Sequence, residues 1–256
     1  MEERKMIIMY PDLDGQGTET GFFKDIKKET FPRKIIAILN GLSKNRFEQL
    51  TKKREKDFIP LFSEEPGLLA ALMKGYEYIY ENYKDVLQEK ESVVVRMDTA
   101  EHPISRINEL AQRAREIKGV VVGDLDFSNC LELLGENDRF MHRMVLPAMF
   151  EVFTGGTFSP GGAHGFTAIH GPEFLKIFPH LKKIVERIKE ERGKLTTWGS
   201  EIPLIMVGLS FSSVERVPIS PTKERIRGDQ KVFKQLRDDI SNIKISAEYI
   251  KEQKGE

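Results

Sequence analysis

Three short stretches place acids in pairs that could hold a divalent cation: Asp12 and Asp14 in PDLDG, Asp98 and Glu101 in MDTAEHP, and Asp124 and Asp126 in GDLDF. In D-x-D an extended chain points both carboxylates to one side. Oxygen ligands of that kind suit Mg²⁺ or Mn²⁺ bridging a diphosphate. The same pattern is common in surface turns and helix caps, so position along the chain must choose between them. Asp98 ends the apolar run SVVVRM, and His102-Pro103 then turns the chain towards a helix. A divalent metal is therefore expected at Asp98, completed either by water and phosphate or by Glu101 as a second acid. Pro11, Asp12 and Asp14 follow an earlier apolar run beside Gly15 and Gly17, and a loop of that composition can wrap a nucleotide base. Asp124 and Asp126 read more simply as a surface turn.

Other reactive residues are few. The five histidines, His102, His142, His164, His170 and His180, show no HxH or HExxH spacing. His164 and His170 flank a glycine-rich turn, where hydrogen bonding or structural work is the plain reading and ligand contact the sharper one. The single cysteine, Cys130, excludes an internal disulfide and a cysteine-rich zinc site. Lys+Arg and Asp+Glu balance at 40 each, so the chain offers no global basic field for nucleic acid. Charged residues make up 31% of the chain and are rich in Lys and Glu, a composition that leans towards a thermophilic source. No apolar run reaches membrane-spanning length and no signal peptide is visible, so a cytoplasmic location without a transmembrane segment is the expectation.

The elements that must position these residues alternate. Met6–Tyr10 reads as a strand stopped by Pro11, residues 19–29 as a helix, and Lys34–Leu39 as a buried strand ending at the Asn40-Gly41 turn. A helix over 45–56, a strand over 58–62, a helix over 68–83 with a broad apolar face, a strand over 92–97, a helix over 105–117 and a strand at 120–122 complete the first half. Short apolar strands between helices of this length imply a mostly parallel central sheet flanked by helices, an α/β fold. Ligands then bind at the carboxyl ends of the strands. The second half is less regular: a helix over 140–153, a glycine-rich stretch over 155–166, helices over 172–178, 181–192 and 200–209, and a strand over 213–219. Residues 220–232 read as a polar loop before an amphipathic C-terminal helix over 232–253. No linker divides the 256 residues, so one domain is expected. Within it, 1–127 forms a nucleotide-sugar-binding half, 128–231 an acceptor-side half and 232–256 the closing helix.

This order of elements resembles family 2 glycosyltransferases of the GT-A, or nucleotide-diphospho-sugar transferase, fold. KIIAILNGLSKN resembles that family's second strand and nucleoside-binding turn, with Asn40, Gly41 and Ser43 at the turn. VVVRMDTAEHP resembles its metal strand, VVVGDLDF the strand that follows, and PGLLAALMKGYEYI the helix between. GAHGFTAIHGPEFL resembles the acceptor-side turn, which places His164 and Gly165 there. TWGSEIPLIMVGLSFSSVERVPIS is similar to the segment in which an acid opens a helix, with Glu201 at the acidic position and Trp198 close before it. ERIRGDQK resembles the loop of polyprenyl-phosphate mannose synthases, with Arg225, Gly228 and Lys231 matching.

The resemblance implies transfer of a sugar from a nucleotide-diphosphate donor to a hydroxyl or lipid-phosphate acceptor, assisted by metal and inverting at the anomeric carbon. Asp98 would hold the metal, Arg225 and Lys231 would face the diphosphate, and Glu201 would act as general base on the acceptor side. A first-turn carboxylate favoured by the helix dipole is the plain alternative for Glu201. The departures are specific: position 100 is alanine, so Asp98 lacks a strict D-x-D, and Pro11–Asp14 only loosely replaces the family's first-strand motif. Two other readings share the sheet. A sugar-phosphate nucleotidyltransferase would need a basic residue in the glycine loop, where Glu19 follows Gly15-Gln16-Gly17-Thr18. A non-catalytic sugar-nucleotide-binding protein is the other. Self-association into a homo-oligomer is left open.

Overall fold

A computed structural model of the chain describes residues 5–30, 32–52, 55–98, 103–125, 136, 140, 144–154, 165–195, 201–219 and 229–255. Its centre is a seven-stranded sheet in the order β3-β2-β1-β4-β6-β5-β7. The strands are β1 (Met6–Leu13), β2 (Lys34–Asn40), β3 (Phe58–Ser63), β4 (Val93–Met97), β5 (Val120–Leu125), β6 (Phe166–His170) and β7 (Val214–Ile219). All pairs are parallel except those of β6, which runs antiparallel to both β4 and β5. The described helices are α1 (Gln16–Thr20), α2 (Phe22–Thr30), α3 (Lys44–Leu50), α4 (Leu68–Asn82), α5 (Lys84–Leu87), α6 (Ile107–Ile117), α7 (Leu146–Thr154), α8 (Gly171–Arg192), α9 (Ile202–Phe211) and α10 (Asp229–Lys254).

The strands are apolar on both faces because both are covered. Ile36, Ile38, Val94 and Ile169 join one core with α4, α8, α9 and α10. Ile35, Ala37, Leu39, Val95 and Ala168 join the other with α2 and α6. Successive strand residues thus alternate between two buried layers. β7, at the sheet edge, instead carries Glu215 and Arg216, charges that discourage further strand pairing.

Several boundaries differ from the sequence reading. β1 runs through Pro11 to Leu13. Its pairing with β4 stops at Met9 while that with β2 continues to Leu13, so Pro11 lies where one side of the strand is unpaired and a missing N–H is tolerated. The expected helix over 19–29 is two helices, broken at Gly21, whose φ of 79° is a left-handed cap. The helix expected to reach residue 56 ends at Leu50. The two helices expected around Pro179 are the single helix α8. An internal proline costs about 3 kcal/mol, but Phe174, Ile177, Phe178, Leu181, Ile184 and Val185 are buried on both sides of it, and that packing keeps the axis continuous. FTAIH, expected to be part of a turn, is strand β6. Residues 229–231, expected in the polar loop, open α10.

Candidate active site

Because β6 is reversed, its first residues meet the last residues of β4: Met97 pairs with Phe166 and Arg96 with Thr167. Asp98 therefore follows a central strand at its carboxyl end, as expected, and Gly165 sits directly against it. A Cβ on Gly165 would land on the carboxylate of Asp98. The expected acceptor-side turn and the expected metal acid are thus in contact through a residue with no side chain.

The third member is Glu201, which caps the start of α9. It makes no side-chain bond to that helix's own amides. Its carboxylate instead turns to the sheet, where Arg96 Nη1 lies 2.8 Å from Glu201 Oε1 and Arg96 Nη2 lies 2.8 Å from Asp98 Oδ1. The Arg96 side chain is 1% exposed, against 23% for Asp98 and 14% for Glu201. A buried cation is tolerated only when paired, and here it has two anions. Burial by itself would lower the Arg96 pKa, but the charges of Asp98 and Glu201 outweigh it and hold the guanidinium protonated.

Tyr76 of α4 is near enough to feel the Arg96 charge, and Thr167 of β6 pairs with Arg96 across the sheet. The Tyr76 hydroxyl is pushed up to about 12, chiefly by burial, with Arg96 acting in the opposite direction. It lies near Thr167 without hydrogen-bond geometry: Tyr76 Oη, Thr167 Oγ1 and Arg96 Nε are buried atoms without a hydrogen-bond partner among the described residues. Sequence reasoning missed Arg96, Tyr76 and Thr167. The available signal was the arginine in SVVVRM, a charge inside an otherwise apolar strand.

The residues expected on the nucleotide side are also brought together. The Asp14 amide donates to the Asn40 carbonyl at 3.1 Å. Gly41, with φ of 81°, faces Asp14, whose Oδ1 a Cβ there would meet at 3.2 Å. The two loops after β1 and β2 therefore share one end of the sheet. Most of their polar groups are engaged within the fold. Asp12, fully buried, accepts from the amides of Gly17 at 2.8 Å and Thr18 at 2.7 Å and from the Thr18 hydroxyl. The Asn40 side chain donates to Ser63 Oγ and the Glu65 carbonyl and accepts from the Gly67 amide. Ser43 caps α3 by accepting from the Arg46 amide. Pro11 is buried within β1. Asp14 is the exposed acid of this group.

Glu101, His164, Trp198 and Arg225 lie outside the described residues. Lys231 is exposed on the first turn of α10. Asp124, expected in a surface turn, instead lies within β5, where it is 14% exposed and pairs with Arg216 at 3.2 Å; Asp126 lies outside the described residues. His170 bonds the Lys90 carbonyl at 2.7 Å.

Among the described residues no group of three His, Cys, Asp or Glu could hold a metal by itself. Asp98 fits a different arrangement. Arg96 occupies Oδ1 and Oδ2 packs against Gly165, so the partly exposed carboxylate suits only a cation that draws most of its ligands from water and a diphosphate, as Mg²⁺ commonly does. No described helix is long and apolar enough to cross a membrane.

No family model matches the chain, and no curated protein matches it. Solved structures do. Glucosyl-3-phosphoglycerate synthase from Mycobacterium tuberculosis, in complex with Mn²⁺, UDP and phosphoglyceric acid, superposes with a TM-score of 0.58 at 12% identity, covering 95% of this chain and 78% of that one. The same enzyme with Mn²⁺, UDP and glucosyl-3-phosphoglycerate gives 0.57 at 12% identity, over 96% and 80%. The 4-diphosphocytidyl-2C-methyl-D-erythritol synthase of Anaerococcus prevotii gives 0.51 at 7% identity, over 91% and 96%. Likeness at this identity shows the fold alone: the chain shares the α/β architecture of these two enzymes. The narrower similarity to family 2 and to polyprenyl-phosphate mannose synthases rests on the sequence motifs alone.

Proposed function

We propose that the chain is a glycosyltransferase that moves a sugar from a nucleoside-diphosphate donor to an acceptor at the rim formed by Asp98, Gly165 and Glu201. The observation that carries this reading is the placement of two carboxylates, one ending a central strand and one opening α9, on a single buried guanidinium. The strand-end carboxylate lies where ligands enter sheets of this kind. The Asp98 carboxylate would hold a divalent cation together with the donor's diphosphate, and Asp14, beside the Asn40-Gly41 turn, would face the nucleoside. A divalent cation, when bound, neutralises charge gathering on the departing phosphate. Glu201 keeps Oε1 on Arg96, which leaves Oε2 to take the proton of an acceptor hydroxyl. With a phosphate acceptor, already ionised, the same carboxylate would only orient.

The 4-diphosphocytidyl synthase fold makes nucleotidyl transfer a second reading. Against it stands the loop after β1, because the amides of Gly17 and Thr18 already donate to Asp12 and are not free to cradle a triphosphate. The products separate the two. Incubation with UDP-, GDP- and ADP-sugars plus Mn²⁺ should release a nucleoside diphosphate. Pyrophosphate released from a nucleoside triphosphate and a sugar phosphate, with no diphosphate from any sugar nucleotide, would overturn the glycosyltransferase reading in favour of the other.

A further inference from the structure

We propose that Arg96 is a positioning residue that couples the two carboxylates of this rim, so that engaging Asp98 changes how firmly Glu201 is held. What engages each acid rests on the function proposed above; the coupling itself does not.

The argument begins with the guanidinium's geometry. Arg96 splits its two terminal nitrogens, Nη2 to Asp98 and Nη1 to Glu201, each at 2.8 Å. It is 1% exposed, so water cannot substitute for either partner. The planar fork is what permits a divided grip; a lysine ammonium would be a single point charge. Glu201 makes no side-chain cap bond to α9, and Arg96 Nε has no partner among the described residues. The side chain is therefore fixed chiefly by the two acids it joins, which lie 103 positions apart in the sequence, from residue 98 to residue 201.

One cation facing two anions must divide its attraction. A divalent cation that takes charge from Asp98 weakens the Asp98 claim on Arg96 and leaves the guanidinium more fully to Glu201. Binding on the donor side thus tightens the acceptor-side acid, and by thermodynamic reciprocity Glu201 influences cation affinity although it need not touch the cation. Arg96 would act only through these two groups.

The first test needs no ligand. Thermal unfolding of the full chain is compared for D98N, E201Q and the double variant. Each single change leaves Arg96 one anion; the double leaves a buried cation without any. The double variant should lose more melting temperature than the two singles together, or fail to fold when both singles fold. Strictly additive losses would overturn the coupling whatever the protein's activity. The second test uses Mn²⁺ with UDP as the probe, read by electron paramagnetic resonance of free Mn²⁺. With Glu201 neutral, Arg96 belongs wholly to Asp98, so E201Q should weaken Mn²⁺·UDP binding by about five-fold or more. In the R96K background, which keeps the charge but not the fork, the E201Q effect should largely vanish. An equal loss in both backgrounds would mean a simple field effect and would also overturn the proposal. If the unaltered chain takes up no Mn²⁺·UDP, the proposed function is the part that fails, and the unfolding comparison alone decides the coupling.

Discussion

Gly165 leaves room for the Asp98 carboxylate, and any Cβ there would occupy the same space as that carboxylate. The requirement at Gly165 is steric. G165A should therefore displace Asp98 from Arg96. Overpacking of this kind costs about 1–3 kcal/mol, and turnover should fall together with Mn²⁺·UDP affinity. Thermal unfolding and metal titration on the same variant check both; an alanine variant with unaltered Mn²⁺·UDP binding would place the metal elsewhere.

The two acids should fail in different ways. D98N keeps an oxygen for Arg96 but removes the charge a cation needs, so donor binding in the presence of Mn²⁺ should be lost with only a small change in melting temperature. E201Q should still bind donor, though more weakly, and should slow transfer to a hydroxyl acceptor on the order of 10²–10⁴-fold. Transfer to a phosphate acceptor should slow much less. Separate KM and kcat measurements against the two acceptor classes distinguish the cases.

Asp12 should matter for stability more than for ligand contact. Its carboxylate accepts three hydrogen bonds within the loop that opens α1. An asparagine would turn an NH₂ group towards one of those donors. D12N should cost about 1.5–3 kcal/mol, the range for hydrogen bonds to a charged group, measured by urea unfolding. Donor binding measured well below the new melting temperature should survive.

A pH effect is expected at His180, which stacks on Phe211 of α9 at 4.0 Å and bonds the Tyr249 hydroxyl of α10 at 3.0 Å. Burial first, and Lys183 second, lower its pKa below the ordinary 6.5. The folded chain then binds fewer protons than the unfolded one in this window. The His180 contribution is present in full above about 6.5 and is lost as pH falls through the depressed value. Melting temperatures of H180Q should decline less than those of the unaltered chain as pH is lowered through that interval.

The first half of the fold was legible because its strands are buried on both faces. KIIAIL and SVVVRM read as continuous apolar runs, and the helices between them carry one apolar stripe each. β6 was not legible from FTAIH, since a glycine on either side gives it the look of a turn and its strand character comes from pairing with β4 and β5. Asp12 and Ser43 show a different limit. Polar residues after strands, among glycines, suit a ligand or a cap equally well, and only the backbone amides nearby decide. Arg96 was overlooked because a charge usually marks a surface, whereas its partners here arrive from residue 98 and from residue 201, beyond the reach of local pattern.

The reversed strand also has a temporal consequence. β5 and β7 reach the rest of the sheet only through β6, since β4 has no direct pairing with β5. As the chain leaves the ribosome, β1 to β4 can assemble in order, but β5 then waits with both edges open until residues 166–170 emerge and wedge between it and β4. Pairings formed over such distances close slowly, and open strand edges invite other chains in the interval. The wedge that brings Gly165 to Asp98 still leaves the rim without Glu201, which follows it in the chain, so the full rim cannot exist on any nascent chain that ends before that acid.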